Sequence, residues 1–67
     1  MKRTMKHADS GTIEEYARWA YDNIEGLPEF GKAMRVAIID TAGDALTGDG
    51  YDYDRDELRH IARRLCG

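Results

Sequence analysis

Residues 28–47, PEFGKAMRVAIIDTAGDALT, decide the fold of this chain. Apolar and small residues recur there at helical spacing, first by four residues and then by alternating steps of three and one, at Phe30, Met34, Ala37, Ile38, Thr41, Ala42, Ala45 and Leu46. Residues 34–40 alone could form a buried strand, because Val and Ile favour extended structure. The periodicity continues to Leu46, beyond the length of an ordinary strand, and Pro28 suits a first helical turn. The stretch therefore predicts a helix over residues 28–47.

A second helix is predicted over residues 12–26. Thr12 and Glu15 have the spacing of a capping box, in which each side chain satisfies a backbone N–H of the first turn. Apolar residues then follow at helical spacing from Ile13 to Ile24. Gly26 favours the C-terminal end of this helix, because glycine readily adopts a left-handed conformation.

The third helix is predicted over residues 54–66. Asp54 and Glu57 again have the capping spacing, and an apolar stripe follows at Leu58, Ile61, Ala62 and Leu65. Acidic residues at its start and arginines at its end match the helix dipole. Together the three segments predict one all-α domain spanning residues 1–67, a compact three-helix bundle. A basic N-terminal arm (1–11) and an acidic loop (48–53) complete it.

Size and composition limit the classes of protein that the chain can represent. It has 67 residues and a net charge of −3, which excludes a uniformly basic nucleic-acid binder. A single cysteine excludes an internal disulfide and suggests a reducing cytoplasm. The N-terminus has no secretory signal and no apolar run could span a bilayer, so no membrane association is expected. A core this small makes self-association as a homodimer a common remedy.

No catalytic or metal-binding pattern is present. Cys66 and His60 lie six residues apart on one predicted helix, on different faces, and so cannot meet as nucleophile and base within one chain. The aspartates around Gly48 and Gly50 do not have the spacing of a calcium loop. We therefore expect a protein that is not an enzyme and has no cofactor or metal.

Three apolar residues fall outside the predicted core stripes. Trp19 lies about 130° from the centre of its stripe, at 100° per residue. Val36 and Ile39 are displaced from theirs. These residues either close the bundle by packing on one another or form an exposed apolar patch that binds a partner. Trp is enriched among residues that dominate binding energy, which favours the second interpretation.

The acidic loop is a second candidate contact surface. Asp49, Asp52 and Asp54 alternate there with Tyr51 and Tyr53. Such a surface could offer charge to a basic partner, including a protein groove that normally receives nucleic acid. The alternative is an ordinary solvated loop.

A small helix-turn-helix-like DNA-binding regulator is the alternative function. It would use Arg59, His60, Arg63 and Arg64 of the last helix, with Lys2, Arg3 and Lys6 of the arm adding phosphate contacts. The acidic connection before that helix weighs against it, because phosphates would repel it.

In type rather than in motif, the chain resembles the small acidic phage-encoded inhibitors of host defence, anti-CRISPR proteins among them. The resemblance rests on the length of the chain and on the acidic stretch 49–57 with its two tyrosines. It implies a cytoplasmic protein that binds a host protein complex and occludes a site for nucleic acid, as in a CRISPR effector.

Overall fold

The computed structural model describes residues 6–24 and 32–66. These residues form a small all-α three-helix bundle, which confirms the predicted fold class. The elements are β1 (Lys6–His7), α1 (Ser10–Asn23), α2 (Lys32–Gly48), β2 (Tyr51–Asp52) and α3 (Arg55–Cys66). Residues 34–40 are helical, so periodicity outweighed the β propensity of Val36, Ile38 and Ile39.

The core is built from one apolar stripe per helix. The fully buried large side chains are Ile13 of α1, Ile38 and Leu46 of α2, and Leu58 of α3. Buried alanines lie beside them at Ala17, Ala20, Ala42 and Ala62. Alanine side chains allow the helix axes to approach closely, so this short chain can exclude water from a continuous centre.

The first helix starts earlier than predicted, because Asp9 rather than Thr12 caps it. Asp9 is extended (φ −83°, ψ 178°), and its Oδ1 accepts the Thr12 backbone N–H at 2.9 Å. That bond stabilises the carboxylate and lowers the pKa of Asp9 below its ordinary value. Ile24 is again extended (φ −81°, ψ 125°), so α1 ends at Asn23. The predicted end at Gly26 lies outside the described residues.

The third helix begins as predicted after Asp54. The Asp54 carbonyl accepts the Leu58 N–H at 3.1 Å, and its Oδ1 accepts the Asp56 N–H at 2.9 Å. Glu57, the expected second member of a capping box, instead accepts a hydrogen bond from the Ser10 hydroxyl of α1. The start of α2 predicted at Pro28 lies outside the described residues, and its end at Gly48 is one residue beyond the predicted one.

The predicted arm and acidic loop pair with each other. Lys6 and His7 lie beside Tyr51 and Asp52 in a parallel two-stranded ladder. The Lys6 N–H donates to the Gly50 carbonyl at 3.1 Å, and the Ala8 N–H donates to the Asp52 carbonyl at 2.7 Å. Ala8 is only 1% exposed and joins the core. The described part of the predicted basic arm, residues 6–11, therefore contains a strand and the first residues of α1.

Side-chain hydrogen bonds join α1 to the other two helices. Tyr16, in the middle of α1, bonds Asp49, the residue that follows α2. Ser10 meets Glu57 and Glu14 meets Arg64, so α1 and α3 run parallel. None of the helices in the described part of the chain combines the length and apolar character needed to cross a bilayer.

Candidate protein-binding groove

An open groove with a volume of about 600 Å³ lies between α1 and the C-terminal end of α2. One wall comes from α1 and the other from α2 and the residue after it; the lining residues are Glu15, Tyr16, Trp19, Ala45, Gly48 and Asp49. The groove exists because the α2 wall is made of small residues. Ala45 and Gly48 cannot fill the space beside the aromatic rings of α1, so apolar surface of both walls stays accessible to solvent.

Trp19 is the most exposed large apolar side chain of the described residues, with 49% of its surface accessible. It follows Glu15 by one helical turn, so the two side chains stand in one row along the groove. The buried stripe of α1 runs through Ile13, Ala17 and Ala20, on another face of the helix. Packing within the bundle therefore leaves about half of the indole uncovered.

Tyr16 and Asp49 close one end of the groove. The Tyr16 hydroxyl donates a hydrogen bond to Asp49 Oδ2 at 2.5 Å. This bond to a carboxylate, together with partial desolvation, raises the pKa of Tyr16 to about 12. The Tyr16 ring also meets Tyr51 edge to face, with centroids 5.8 Å apart. Tyr16 therefore couples this end of the groove to the connection that precedes α3.

The three apolar residues singled out by sequence do not form one patch. Trp19 lines the groove beside Ala45, whereas Val36 lies about 180° from Ala45 around α2, at 100° per residue. Val36 is 48% exposed on that other flank. Ile39 is half-buried and packs against the core, so it helps to close the bundle. Of the three, only Trp19 lies in the groove.

The candidate residues of the acidic loop are engaged within the molecule. Asp49 accepts the Tyr16 hydroxyl, Asp52 lies 3.9 Å from His7, and Asp54 caps α3. Tyr51 and Tyr53 are half-buried and pack against the core. Tyr53 lies so close to Gly43 that a Cβ there would stand 2.5 Å from its hydroxyl oxygen. Among these five residues, only Asp49 reaches the groove.

One exposed acidic residue of α2 outside the predicted contact set, Asp44, lies at the edge of the groove. It precedes the groove residue Gly48 by one helical turn and adjoins the groove residue Ala45 in sequence. Each step of four residues rotates by about 40°, so Asp44 stays close to the face of Gly48. Asp40, a further turn away, lies nearer Val36 on the outer face. The i, i+4 spacing of Asp44 and Gly48 was visible in the sequence, but only the packing of α1 beside Gly48 shows which face they occupy.

The basic residues proposed for DNA binding are partly neutralised within the bundle. Arg59 lies 3.8 Å from Asp56, and Arg64 lies 3.5 Å from Glu14. His60 and Arg63 are exposed on the outer side of α3. Residues 49–54, which connect α2 to α3, contain a strand and three aspartates. That connection differs from the short turn of a helix-turn-helix motif.

Within residues 6–24 and 32–66, no group of three or more His, Cys, Asp or Glu side chains is placed to hold a metal ion. Cys66, at the end of α3, is half-buried. Comparison of the chain with models of protein families, with curated proteins and with solved structures gives no match. Functional inference for this chain therefore rests on the groove and its surroundings.

Proposed function

We propose that the chain is a small non-catalytic protein-binding module whose contact site is the groove between α1 and α2. The observation that carries the proposal is the half-exposed Trp19 on the groove wall. A soluble bundle gains nothing from leaving an indole in water, whereas a partner that covers it gains a large apolar contact. Tryptophan is also among the residues most enriched at the centres of protein interfaces.

The finer proposal is that of an inhibitor in the manner of the small phage-encoded proteins. A module of this size acts by covering a site on a larger partner, because it has no room for a deep substrate cleft. Its net charge of −3 supports a target surface that is basic, such as one that handles nucleic acid. The expected effect on the partner is occlusion of that surface.

The test is capture of partners from a bacterial lysate on tagged protein, with and without nuclease, and with two matched variants. Trp19→Gln removes the indole from the groove. Tyr21→Gln, the control, removes an exposed aromatic ring (40% accessible) that lies about 160° from Trp19 around the same helix. Circular dichroism of both variants establishes that they are folded.

We expect the wild-type chain and Tyr21→Gln to retain a stoichiometric protein partner after nuclease treatment. Trp19→Gln should bind that partner at least about 30-fold more weakly, which corresponds to the 2 kcal/mol or more of an interface hot spot. Equal retention by both variants would exclude the groove as the contact site. Retention of nucleic acid, with proteins lost after nuclease, would instead favour DNA binding through Arg63 and His60.

A further inference from the structure

We propose that the groove receives a basic amphipathic helix of the partner protein. An apolar side chain of that helix packs against Trp19, and its Lys or Arg side chains face the acidic residues at the edges of the groove. This inference rests on the proposed function and specifies the chemistry of the partner. It follows from two properties of the same face: the groove has apolar walls, and the exposed charges of the described residues that border it are acidic.

The apolar part of the site is narrow and central. Trp19 stands on α1 opposite Ala45 and Gly48 of α2, which are too small to cover it. The space between the walls, about 600 Å³, accepts one or two large side chains rather than a whole domain. A helix that lies along a groove between two helices presents such anchors at intervals of three and four residues.

The charged part of the site lies on both sides of that centre. On α1, Glu15 lies one turn before Trp19 and Asp22 follows three residues after it. On α2, the exposed Asp44 precedes the groove residue Gly48 by one helical turn, and Asp49 lines the groove itself. The nearest arginine on α1, Arg18, is turned away and pairs with Glu14 at 3.2 Å. These carboxylates therefore present an uncompensated negative rim to whatever occupies the groove.

The negative charge at the edges of the groove favours a basic helix as the bound partner. An acidic or neutral helix would bring its own charges or backbone against the carboxylates without compensation, and like charges across an interface disfavour binding. A basic helix gains attraction on both sides of its apolar anchor. Exposed charge pairs contribute little individually, but several rim charges of one sign also accelerate association and set its orientation.

Defined peptides of about 15 residues, roughly four helical turns, test the inference. One has Leu at helical spacing with Lys elsewhere, the second has Glu in place of every Lys, and the third has the composition of the first in an order without helical periodicity. Trp19 is the only tryptophan of the chain, so its fluorescence reports on the groove directly. We expect the Lys–Leu peptide to bind with a blue shift of that emission and with affinity that falls as salt rises.

Two matched charge reversals place the interaction. Asp44→Lys changes the groove rim, whereas Asp56→Lys changes an exposed aspartate (87% accessible side chain) at the far helix α3. Asp44→Lys should weaken the Lys–Leu peptide about 10-fold and Asp56→Lys less than about 2-fold, because screening at 0.1 M salt acts over about 10 Å. Equal effects of the two reversals, or equal binding of the scrambled peptide, would mean attraction to net charge alone and would overturn the inference.

The experiments distinguish a failure of the basic-helix inference from a failure of the proposed protein-binding function. Binding of the Glu–Leu peptide as tightly as the Lys–Leu peptide would leave a protein-binding groove but refute the basic partner. So would the absence of peptide binding combined with capture of a cellular protein that depends on Trp19. If no peptide binds and capture does not depend on Trp19, both proposals are wrong.

Discussion

The groove between α1 and α2 and the connection between α2 and α3 both contain aromatic and acidic residues, but these side chains are packed and bonded to different extents. Each places aromatic rings next to carboxylates: Trp19 with Glu15 in the groove, and Tyr51 and Tyr53 with Asp52 in the connection. In the connection, both rings pack against the core and the backbone pairs with β1. In the groove, the indole is half-exposed and Glu15 is exposed.

The difference shows how a structural residue is told from one available for binding. In a sequence, acidic and aromatic residues outside the core stripes are equally good candidates for binding, because packing of the core does not require them. Hydrogen-bond partners and burial separate them. The side chain of Asp54 accepts a backbone N–H of the first turn of α3, so helix capping explains this residue without an external ligand. The exposed side chain of Asp44, by contrast, makes no hydrogen bond or ion pair to another described residue.

The largest expected effect contrasts one aromatic ring from each region. Tyr51→Ala should lower the free energy of unfolding by about 2 to 3 kcal/mol, because it removes a half-buried ring that packs on the core and on Tyr16. Trp19→Gln should cost at most about 1 kcal/mol, as expected for a side chain that is largely outside the core. Urea unfolding followed by circular dichroism measures both. Equal losses would remove the distinction between the regions.

A smaller effect comes from two glycines of α2, one facing each region. A Cβ on Gly43 would meet the Tyr53 hydroxyl, whereas a Cβ on Gly48 would meet nothing within 4 Å. Gly43→Ala should therefore destabilise by about 1 kcal/mol, since overpacking outweighs the gain in helix propensity. Gly48→Ala should stabilise by up to about 1 kcal/mol.

Removal of the clashing oxygen provides the control for Gly43. In a Tyr53→Phe background, Gly43→Ala should become neutral or stabilising, because the remaining ring carbon lies 3.4 Å from the new Cβ. The coupling between the two substitutions is measured by a double-mutant cycle in the same unfolding experiment. Additive effects would show that Tyr53 does not pack on Gly43 in solution.

The three helices could be predicted from sequence because each carries its own apolar periodicity. The helix from Lys32 to Gly48 was recognisable even though residues 34–40 favour a strand locally. The start of α1 was not, because Asp9 and Thr12 are both good capping residues and only the extended backbone at Asp9 decides between them. The pairing of β1 with β2 was missed since two-residue strands have no periodicity to detect.

The candidate site was likewise only partly predictable from the sequence. Trp19 could be identified from its angle to the stripe of its own helix, which is local information. Its neighbours could not, because the side of α2 that packs beside α1 depends on the bundle as a whole. The sequence suggested Asp49 as a contact residue because its hydrogen-bond partner, Tyr16, lies far away along the chain. Sequence proximity does not reveal such bonds.

The smallest expected effect concerns the hydrogen bond from Tyr16 to Asp49, which joins the two regions. This bond raises the pKa of Tyr16 from 10.0 to about 12. A raised pKa means that the bond stabilises the folded state fully below pH 10 and that this stabilisation is lost as pH rises from 10 to about 12. Titration of tyrosinate absorbance should show one tyrosine ionising near pH 12.

The carboxylate is the cause of that shift, so Asp49→Ala should move the titration back towards 10.0 and flatten the dependence of stability on pH between those values. Because Asp49 also lines the groove, the same variant tests whether the bond keeps the Tyr16 ring at the groove end. If the fluorescence of Trp19 and the titration both stay unchanged in Asp49→Ala, the two regions are independent in solution. A change in both would mean that the connection holds the groove in shape.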